Sequence, residues 1–284
     1  MPPRGFAPAA VLVALALLAG GCGRAVGSSP EISPAAVTTR AGGPASDPAG
    51  GIELVDSTGG TPARRAAVLG AAARAVASVR AVWGPRWSLP AVVVLVPGSA
   101  ALAEATGRTA AGVRGLVAVT ERSGVYVDAT ALGGLTSTSQ VVLLTHEATH
   151  LATGAPESAA SPLWLEEGFA DWVAFRSGGV PASVAAADLL SSVRAGSLPD
   201  GLPEDSAFAA GSPGIGAAYA GAWLACTVLA RALGTRGLVA FYRAVAAGHG
   251  SPTANVSAAL RATTGWSVPA LVRAWRTRLR ELAA

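Results

Sequence analysis

Two histidines stand four residues apart in the segment Thr145-His146-Glu147-Ala148-Thr149-His150. Apolar residues recur around them at helical spacing, so we expect a helix here. Side chains four residues apart lie on one face of a helix, and both imidazoles can therefore reach the same metal ion. The segment predicts a helix that supplies two metal ligands.

The carboxylate of Glu147 adds a chemical function to this pair. It follows His146 and lies about 100° further around the helix, so it can approach a metal-bound water without being a ligand. Such a water loses its proton far more easily than bulk water. A neighbouring carboxylate can take that proton and deliver it to a leaving amine. A chance match is rare in a chain with three histidines.

A catalytic zinc site also needs a third protein ligand and an open fourth position. The downstream run WLEEGFADW, at 164–172, predicts a second helix with Ser161 as its N-cap and Pro162 in its first turn. The residues between the two helices leave room for a turn and an antiparallel return. The second helix can therefore bring its carboxylates to the two histidines.

Only one of the two adjacent glutamates can face the metal, because their side chains point about 100° apart. We expect Glu167 to be the third ligand, since Asp171 lies one turn further on the same face. Asp171 can then accept a hydrogen bond from the outer N–H of His146, which fixes the tautomer of that ligand. Glu166 is expected to be a solvated or capping carboxylate.

The elements that position these residues begin with a small sheet. Runs of β-branched residues predict strands at 52–56 and 91–96, on either side of an alanine-rich helix at 61–82. A hairpin is predicted over 115–128. The segment from Gly115 to Thr120 is expected to form an edge strand of this sheet.

From residue 138 onward the pattern is helical, with Gly and Pro between the segments. Helices are expected at 138–153, 162–177, 181–195, 216–233, 235–247, 252–264 and 267–282. The predicted fold class is α+β, with a sheet lobe at 52–153 and an all-helical lobe at 154–284.

The composition excludes several classes of protein. Of the 284 residues, 51% are hydrophobic and 13% are charged, which excludes disordered, collagen-like and polytopic membrane proteins. All 21 basic residues are arginine, and the net charge of +4 is spread along the chain without a basic run. No nucleic-acid partner is therefore expected.

The N-terminal residues 1–21 are typical of a signal peptide, with Arg4 before an apolar stretch at 9–19. The following Ala19-Gly20-Gly21-Cys22 resembles the lipobox of bacterial lipoproteins, in which the cysteine carries the lipid. It departs from that pattern at Ala19, where leucine is usual. Ordinary secretion with cleavage near Ala25 is the first alternative, and an uncleaved anchor helix is the second. Residues 22–51 are small or polar and predict a flexible tether. Cys226, in an apolar run, is expected to be buried.

The motifs HEATH and WLEEGFADW together resemble the gluzincin metallopeptidases, and within them the peptidase MA-like group of small secreted or lipoprotein peptidases. The resemblance covers about 52–284 and is most specific at 141–175. It implies a zincin-like fold in which His146, His150 and Glu167 bind Zn²⁺ and Glu147 is the general base. The chain lacks the third histidine of the metzincins.

The same resemblance implies a downstream tyrosine that donates a hydrogen bond to the oxyanion of the reaction. Tyr219 stands near the start of a predicted helix, as the family's tyrosine does, and we expect it to take this role. A packing role for Tyr219 is the alternative. His249, between two glycines, is a second candidate for the same hydrogen bond, although a histidine in such a loop is more often simply exposed.

These features predict a monomeric zinc peptidase whose substrates are peptides or proteins. A lipid on Cys22 is expected to anchor it on the outer side of the cytoplasmic membrane. A noncatalytic lipoprotein that keeps the fold and works as an interaction module is the alternative. Glu147 argues against it, because metal binding alone does not need that carboxylate. A hydrolase of another amide, such as a cell-wall link, is a third possibility. No motif for anchoring a substrate amino terminus precedes His146, which favours an endopeptidase.

Overall fold

The computed structural model describes residues 45–47, 51–84, 91–155, 158–209 and 211–284. The predicted signal peptide at 1–21, the predicted lipidation site Cys22 and most of the predicted tether lie outside the described residues. The structural statements below therefore concern the part of the chain that follows residue 44.

Five strands form one mixed sheet in the order β1-β2-β3-β5-β4. Strands β2, β3 and β5 are parallel, and the two edge strands β1 and β4 run antiparallel to their neighbours. The strands are β1 (Ala45–Asp47), β2 (Ile52–Asp56), β3 (Ala91–Val96), β4 (Ala118–Glu121) and β5 (Gly124–Asp128). The hairpin predicted over 115–128 is therefore β4 and β5, and β4 is an edge of the sheet.

Strand β1 lies inside the segment that the composition predicts to be a flexible tether. Ala45 pairs with Leu54, and Asp47 pairs with Ile52. This pairing is made by backbone groups and needs no large apolar side chains, so a composition rich in small residues does not reveal it. The sheet thus begins before Ile52, where we expected the folded unit to start.

Every strand precedes residue 129, and the described chain after it consists of helices and loops. The chain is therefore mixed α/β, with a small sheet and mostly helices. The helices are α1 (Pro62–Trp83), α2 (Ser99–Thr106), α3 (Ala129–Gly133), α4 (Ser137–Thr153), α5 (Leu163–Gly178), α6 (Ala182–Ala185), α7 (Ala187–Arg194), α8 (Ile215–Ala246), α9 (Pro252–Thr264) and α10 (Val268–Ala283). A 3-10 turn spans Asp205–Phe208.

Two predicted helical segments are divided differently in the structure. The helix predicted at 181–195 is two short helices, because Ala186 between them has φ −122° and ψ 23°. The helices predicted at 216–233 and 235–247 form α8, which is interrupted at Gly234 with φ 70° and ψ 174°. Glycine takes such a positive φ readily, so the chain bends there without steric strain.

The start of α4, the helix that carries both histidines, is fixed by side-chain hydrogen bonds. Thr136 caps the helix, and its Oγ1 accepts a hydrogen bond from the backbone N–H of Ser139 at 3.2 Å. Gln140 Nε2 donates to the carbonyl oxygens of Leu132 at 3.1 Å and Leu135 at 3.2 Å. These bonds join α4 to the turn after β5, and the sheet thereby sets the position of α4.

One hydrophobic core joins the two predicted lobes. It includes side chains from the sheet, from α1 and α4, and from the helices after residue 160. Helix α5 packs between α4 and α8. A smaller cluster on the other face of the sheet includes Val96, Leu102 and Tyr126. Burial of α4 and α5 in the shared core holds these two helices at a fixed separation.

Helices α1 and α8 are long and apolar enough to cross a membrane by length and composition alone. Both also contribute to the core, through residues such as Val76 of α1 and Leu224 of α8. A core helix of a globular protein meets the same length and composition test.

Candidate metal centre

The two histidines of α4 face each other inside the protein. Their Nε2 atoms lie 2.9 Å apart, and the rings are nearly perpendicular, with an interplanar angle of 81°. Only 3% of His146 and 1% of His150 is exposed. The helical spacing predicted this convergence, and the burial shows that water does not surround the pair.

Glu167, on α5, brings a carboxylate oxygen to the same point. Its Oε2 lies 3.2 Å from Nε2 of His146 and 3.4 Å from Nε2 of His150. The residue is buried, and among the described residues neither carboxylate oxygen accepts a hydrogen bond. Two buried acceptor atoms beside two imidazoles are costly unless a cation or proton lies among them.

The spacing of these three atoms matches the ligand shell of a small metal ion. Ligands at 2.0–2.2 Å from a tetrahedral ion are about 3.3–3.6 Å from one another. The observed separations run from 2.9 to 3.4 Å. Two imidazole nitrogens and one carboxylate oxygen are also ligand types that zinc accepts. His146, His150 and Glu167 could thus hold a metal ion.

Asp171 contacts the imidazole nitrogen of His146 that points away from Glu167 and His150. It lies one turn after Glu167 on α5, and its Oδ1 is 2.9 Å from Nδ1 of His146. An N–H at Nδ1 that donates to this carboxylate leaves the lone pair of Nε2 directed at Glu167 and His150. The hydrogen bond expected from the sequence is therefore present, and it selects the tautomer that a metal ligand requires.

Burial and charge act in opposite directions on the ionisable groups of the cluster. Burial lowers the pKa of His146, but its hydrogen bond to Asp171, its close contact with Glu167 and the charges of these carboxylates raise that pKa well above its ordinary value. Burial likewise raises the pKa of Glu167, whereas the two histidines lower it below the ordinary range. Without metal, the cluster therefore favours a protonated imidazole beside an ionised carboxylate.

Glu166 is not the solvated carboxylate that we expected. Only 2% of the residue is exposed, so a solvated Glu166 is excluded, whereas the capping alternative stays a prediction. The reason is that α5 is surrounded on several sides, by α4, α8 and the 3-10 turn, and both of its adjacent glutamates are covered. Glu166 does lie in the first turn of α5, where a negative charge interacts favourably with the helix N-terminus.

The cap of α5 also differs from the prediction. The side chain of Ser161 does not cap the helix, which begins after Pro162. Asp205 from the 3-10 turn does so instead, because its Oδ1 accepts a hydrogen bond from the backbone N–H of Leu163 at 2.9 Å. A residue far along the chain thus anchors the end of α5 that carries Glu167.

Gly168 lets α5 and α8 touch through their backbones. A Cβ atom at this position would overlap the carbonyl oxygen of Ala222 and lie 3.1 Å from Sγ of Cys226. Cys226 is fully buried, as expected, and its burial together with the charge of Asp171 raises the pKa of its thiol. The close contact fixes α5, and therefore Glu167, relative to α8.

The carboxylate of Glu147 lies on the side of α4 that faces the sheet. Its Oε2 accepts a hydrogen bond from Oγ1 of Thr120 at 2.5 Å. Thr120 is on edge strand β4 and is 1% exposed, whereas Glu147 is 6% exposed. The predicted base is thus held by the sheet and keeps a small accessible surface.

The other two predicted site residues lie on or after α8. Tyr219 is 2% exposed and packs edge-on against Phe208, with ring centroids 5.2 Å apart. It lies in an early turn of α8, the helix that packs against α5. His249 is exposed in the turn between α8 and α9. The role of Tyr219 stays a prediction.

Sequence reasoning missed Thr120 and Asp205 as residues that support the site. A weak signal exists for Thr120, because a polar residue directly after Val117-Ala118-Val119 interrupts an apolar strand. Its partner lies 27 residues away, and no local pattern specifies that contact. Asp205 carries no comparable signal, since it lies in a loop 42 residues from the N–H that it caps.

Comparison of the chain with protein-family models, with curated proteins and with solved structures finds no match. The resemblance to gluzincins therefore stays a prediction that rests on the two motifs.

Proposed function

We propose that the protein is a zinc-dependent peptidase with a zincin-like arrangement of its site. The observation that carries this proposal is the convergence of His146 Nε2, His150 Nε2 and Glu167 Oε2, which lie 2.9 to 3.4 Å from one another. A carboxylate that is not part of this group, Glu147, follows the first ligand on the same helix. A site that only stores or structurally binds zinc does not need that additional carboxylate.

Zinc, when bound by these three residues, supplies a Lewis acid that lowers the pKa of a water and polarises a substrate carbonyl. Glu147 then accepts a proton from the attacking water and passes it to the leaving amine of the peptide. Asp171 keeps the proton of His146 on Nδ1 throughout, so that Nε2 stays available as a ligand. Tyr219 is proposed to donate a hydrogen bond to the oxygen that becomes negative as the carbonyl turns tetrahedral.

The setting of this activity is proposed from the N-terminal sequence. The lipobox-like end of residues 1–21 supports attachment of the protein to the outer side of the cell membrane through Cys22. Peptides or proteins in that compartment are the proposed substrates.

The experiment that tests the proposed function compares Glu147→Gln with the wild-type chain, both loaded with zinc. Hydrolysis of a library of fluorescence-quenched peptides should fall by orders of magnitude in the variant, because an amide cannot accept the proton of the attacking water. Zinc content should stay the same. Glu104→Gln, on an exposed position of α2, is the matched control and should hydrolyse at the wild-type rate. Equal hydrolysis by Glu147→Gln and the wild type would overturn the proposal.

A further inference from the structure

Strand β4 places one hydroxyl group against the predicted base. Along this strand, Val119 belongs to the smaller core cluster on one face of the sheet. The next residue, Thr120, points to the opposite face, because side chains alternate along a strand. That face is covered by α4, and the Thr120 hydroxyl there meets the carboxylate of Glu147.

The Thr120 hydroxyl has two acceptors within reach but only one proton to donate. Its Oγ1 lies 2.5 Å from Oε2 of Glu147 and 3.3 Å from the backbone carbonyl oxygen of the same residue. The shorter contact has the distance of a hydrogen bond to an ionised carboxylate. The proton of Thr120 is therefore donated to Oε2.

This bond makes the two oxygens of Glu147 unequal. Oε2 is held by the sheet, and among the described residues it is the only carboxylate oxygen of Glu147 with a hydrogen bond. Oε1 remains to accept a proton from water. The carboxylate of a glutamate, which rotates about three side-chain torsions, would otherwise sample orientations in which neither oxygen faces the reacting water.

We infer that Thr120 is a positioning residue of this site: its hydroxyl holds Oε2 of Glu147 so that Oε1 receives the proton of the attacking water. The inference rests on the proposed function, because it gives Thr120 a role in the same reaction. The β-branched side chain suits this task, since it restricts χ1 and keeps the hydroxyl aimed at α4.

Thr120→Val tests the inference because valine keeps the shape of the side chain and removes the hydroxyl. With a peptide substrate cleaved by the wild type, we expect kcat to fall by about 10- to 100-fold while KM changes little. Zinc content should stay the same. Thr120→Ser should restore most of the lost kcat, because serine supplies the same donor.

Thr227→Val is the matched control. Its hydroxyl donates to the carbonyl oxygen of Trp223 at 3.0 Å on α8. Deleting this hydroxyl removes a comparable bond that does not involve Glu147, and kcat should stay at the wild-type value. An equal loss of kcat in Thr227→Val and Thr120→Val would mean that Thr120 has no particular role, and would overturn the inference.

A second measurement detects the contact without using activity. Introduced into the wild type, Thr120→Val should lower the midpoint of thermal unfolding. Introduced into Glu147→Ala, it should lower that midpoint by less, because the acceptor carboxylate is already absent from this variant. Equal shifts in the two backgrounds would overturn the inference. This measurement also applies if the valine variant is inactive for reasons of stability.

The outcomes separate the two proposals. In one outcome, the wild-type chain hydrolyses peptides, Glu147→Gln does not, and Thr120→Val has a normal kcat. This outcome would overturn the role of Thr120 and leave the proposed function standing. A zinc-loaded wild type without hydrolytic activity would overturn the proposed function, and the role of Thr120 with it.

Discussion

Asp171 and His146 join the two helices of the metal centre through one buried hydrogen bond, 2.9 Å long, between Oδ1 and Nδ1. His146 is on α4 and Asp171 is on α5, so the bond ties the orientation of a ligand to the helix that supplies Glu167. Both residues are almost fully buried. A carboxylate in this place can therefore affect metal affinity without touching the metal.

Asp171→Ala should lower the affinity for zinc by about 10- to 100-fold, because His146 loses the partner that fixes its tautomer and ring orientation. Asp171→Asn keeps an acceptor oxygen and should lose less. Competition with a chelator of known zinc affinity measures both variants. Wild-type affinity in Asp171→Ala would show that the hydrogen bond does not tune the ligand.

Glu167→Gln and Glu166→Gln form a matched pair, since both remove one buried charge from the first half of α5. Glu167→Gln should lose zinc affinity and hydrolysis together, because an amide is a much poorer ligand than a carboxylate. Glu166→Gln should retain zinc. Metal analysis after dialysis against the same zinc concentration compares them, and loss of zinc from Glu166→Gln alone would mean that the wrong glutamate is assigned as ligand.

Gly168→Ala should destabilise the fold by about 1–3 kcal/mol, because the added Cβ overlaps the backbone of α8 and the two helices must separate. Gly216→Ala is the control. Gly216 also lies in a helix, nothing stands within 4 Å of its added Cβ, and alanine there should be neutral or slightly stabilising. Urea unfolding of both variants measures the difference. Equal stability would show that the contact at Gly168 does not limit the separation of α5 and α8.

Tyr219→Phe should lower kcat and kcat/KM together, by roughly ten- to a thousandfold, if the hydroxyl meets the oxyanion only in the transition state. Zinc content should not change. A packing tyrosine behaves differently, because phenylalanine fills nearly the same space beside Phe208 and only a modest loss of thermal stability follows. Steady-state kinetics with one peptide substrate distinguishes the two roles, and normal kcat would remove Tyr219 from the reaction.

The parts of the fold that the sequence predicts well are those with strong local signals. Helix α1 begins at Pro62 after the cap Thr61, as the residue types indicate. Helix α4 has both a cap and apolar periodicity, and its predicted start differs from the structure by one residue. Short elements such as α2 and α3 have fewer than three turns and no clear period, so they were not predicted.

The convergence of His146, His150 and Glu167 was predictable, because residue spacing places the two histidines on one face of α4 and Glu167 on the same face of α5 as Asp171. Most contacts between elements were not predictable from the sequence. The hydrogen bond between Asp171 and His146 is an exception, because few side chains can accept from an imidazole N–H at that position. The hydrogen bond between Thr120 and Glu147 depends on how the sheet packs against α4. The hydrogen bond from the Leu163 N–H to Asp205 depends on where a distant loop packs. Burial of Glu166 depends on the same packing, since a carboxylate has a strong general preference for the surface.

The central claim is that His146, His150 and Glu167 bind zinc for hydrolysis. The most direct measurement is the zinc content of the purified full chain, wild type and His150→Ala, after dialysis at equal zinc concentration. We expect about one zinc per wild-type chain and a large loss in the variant, because among the described residues His146, His150 and Glu167 are the group that could hold a metal ion. A wild-type chain without zinc under these conditions, or a His150→Ala variant that keeps one full equivalent, would contradict the account.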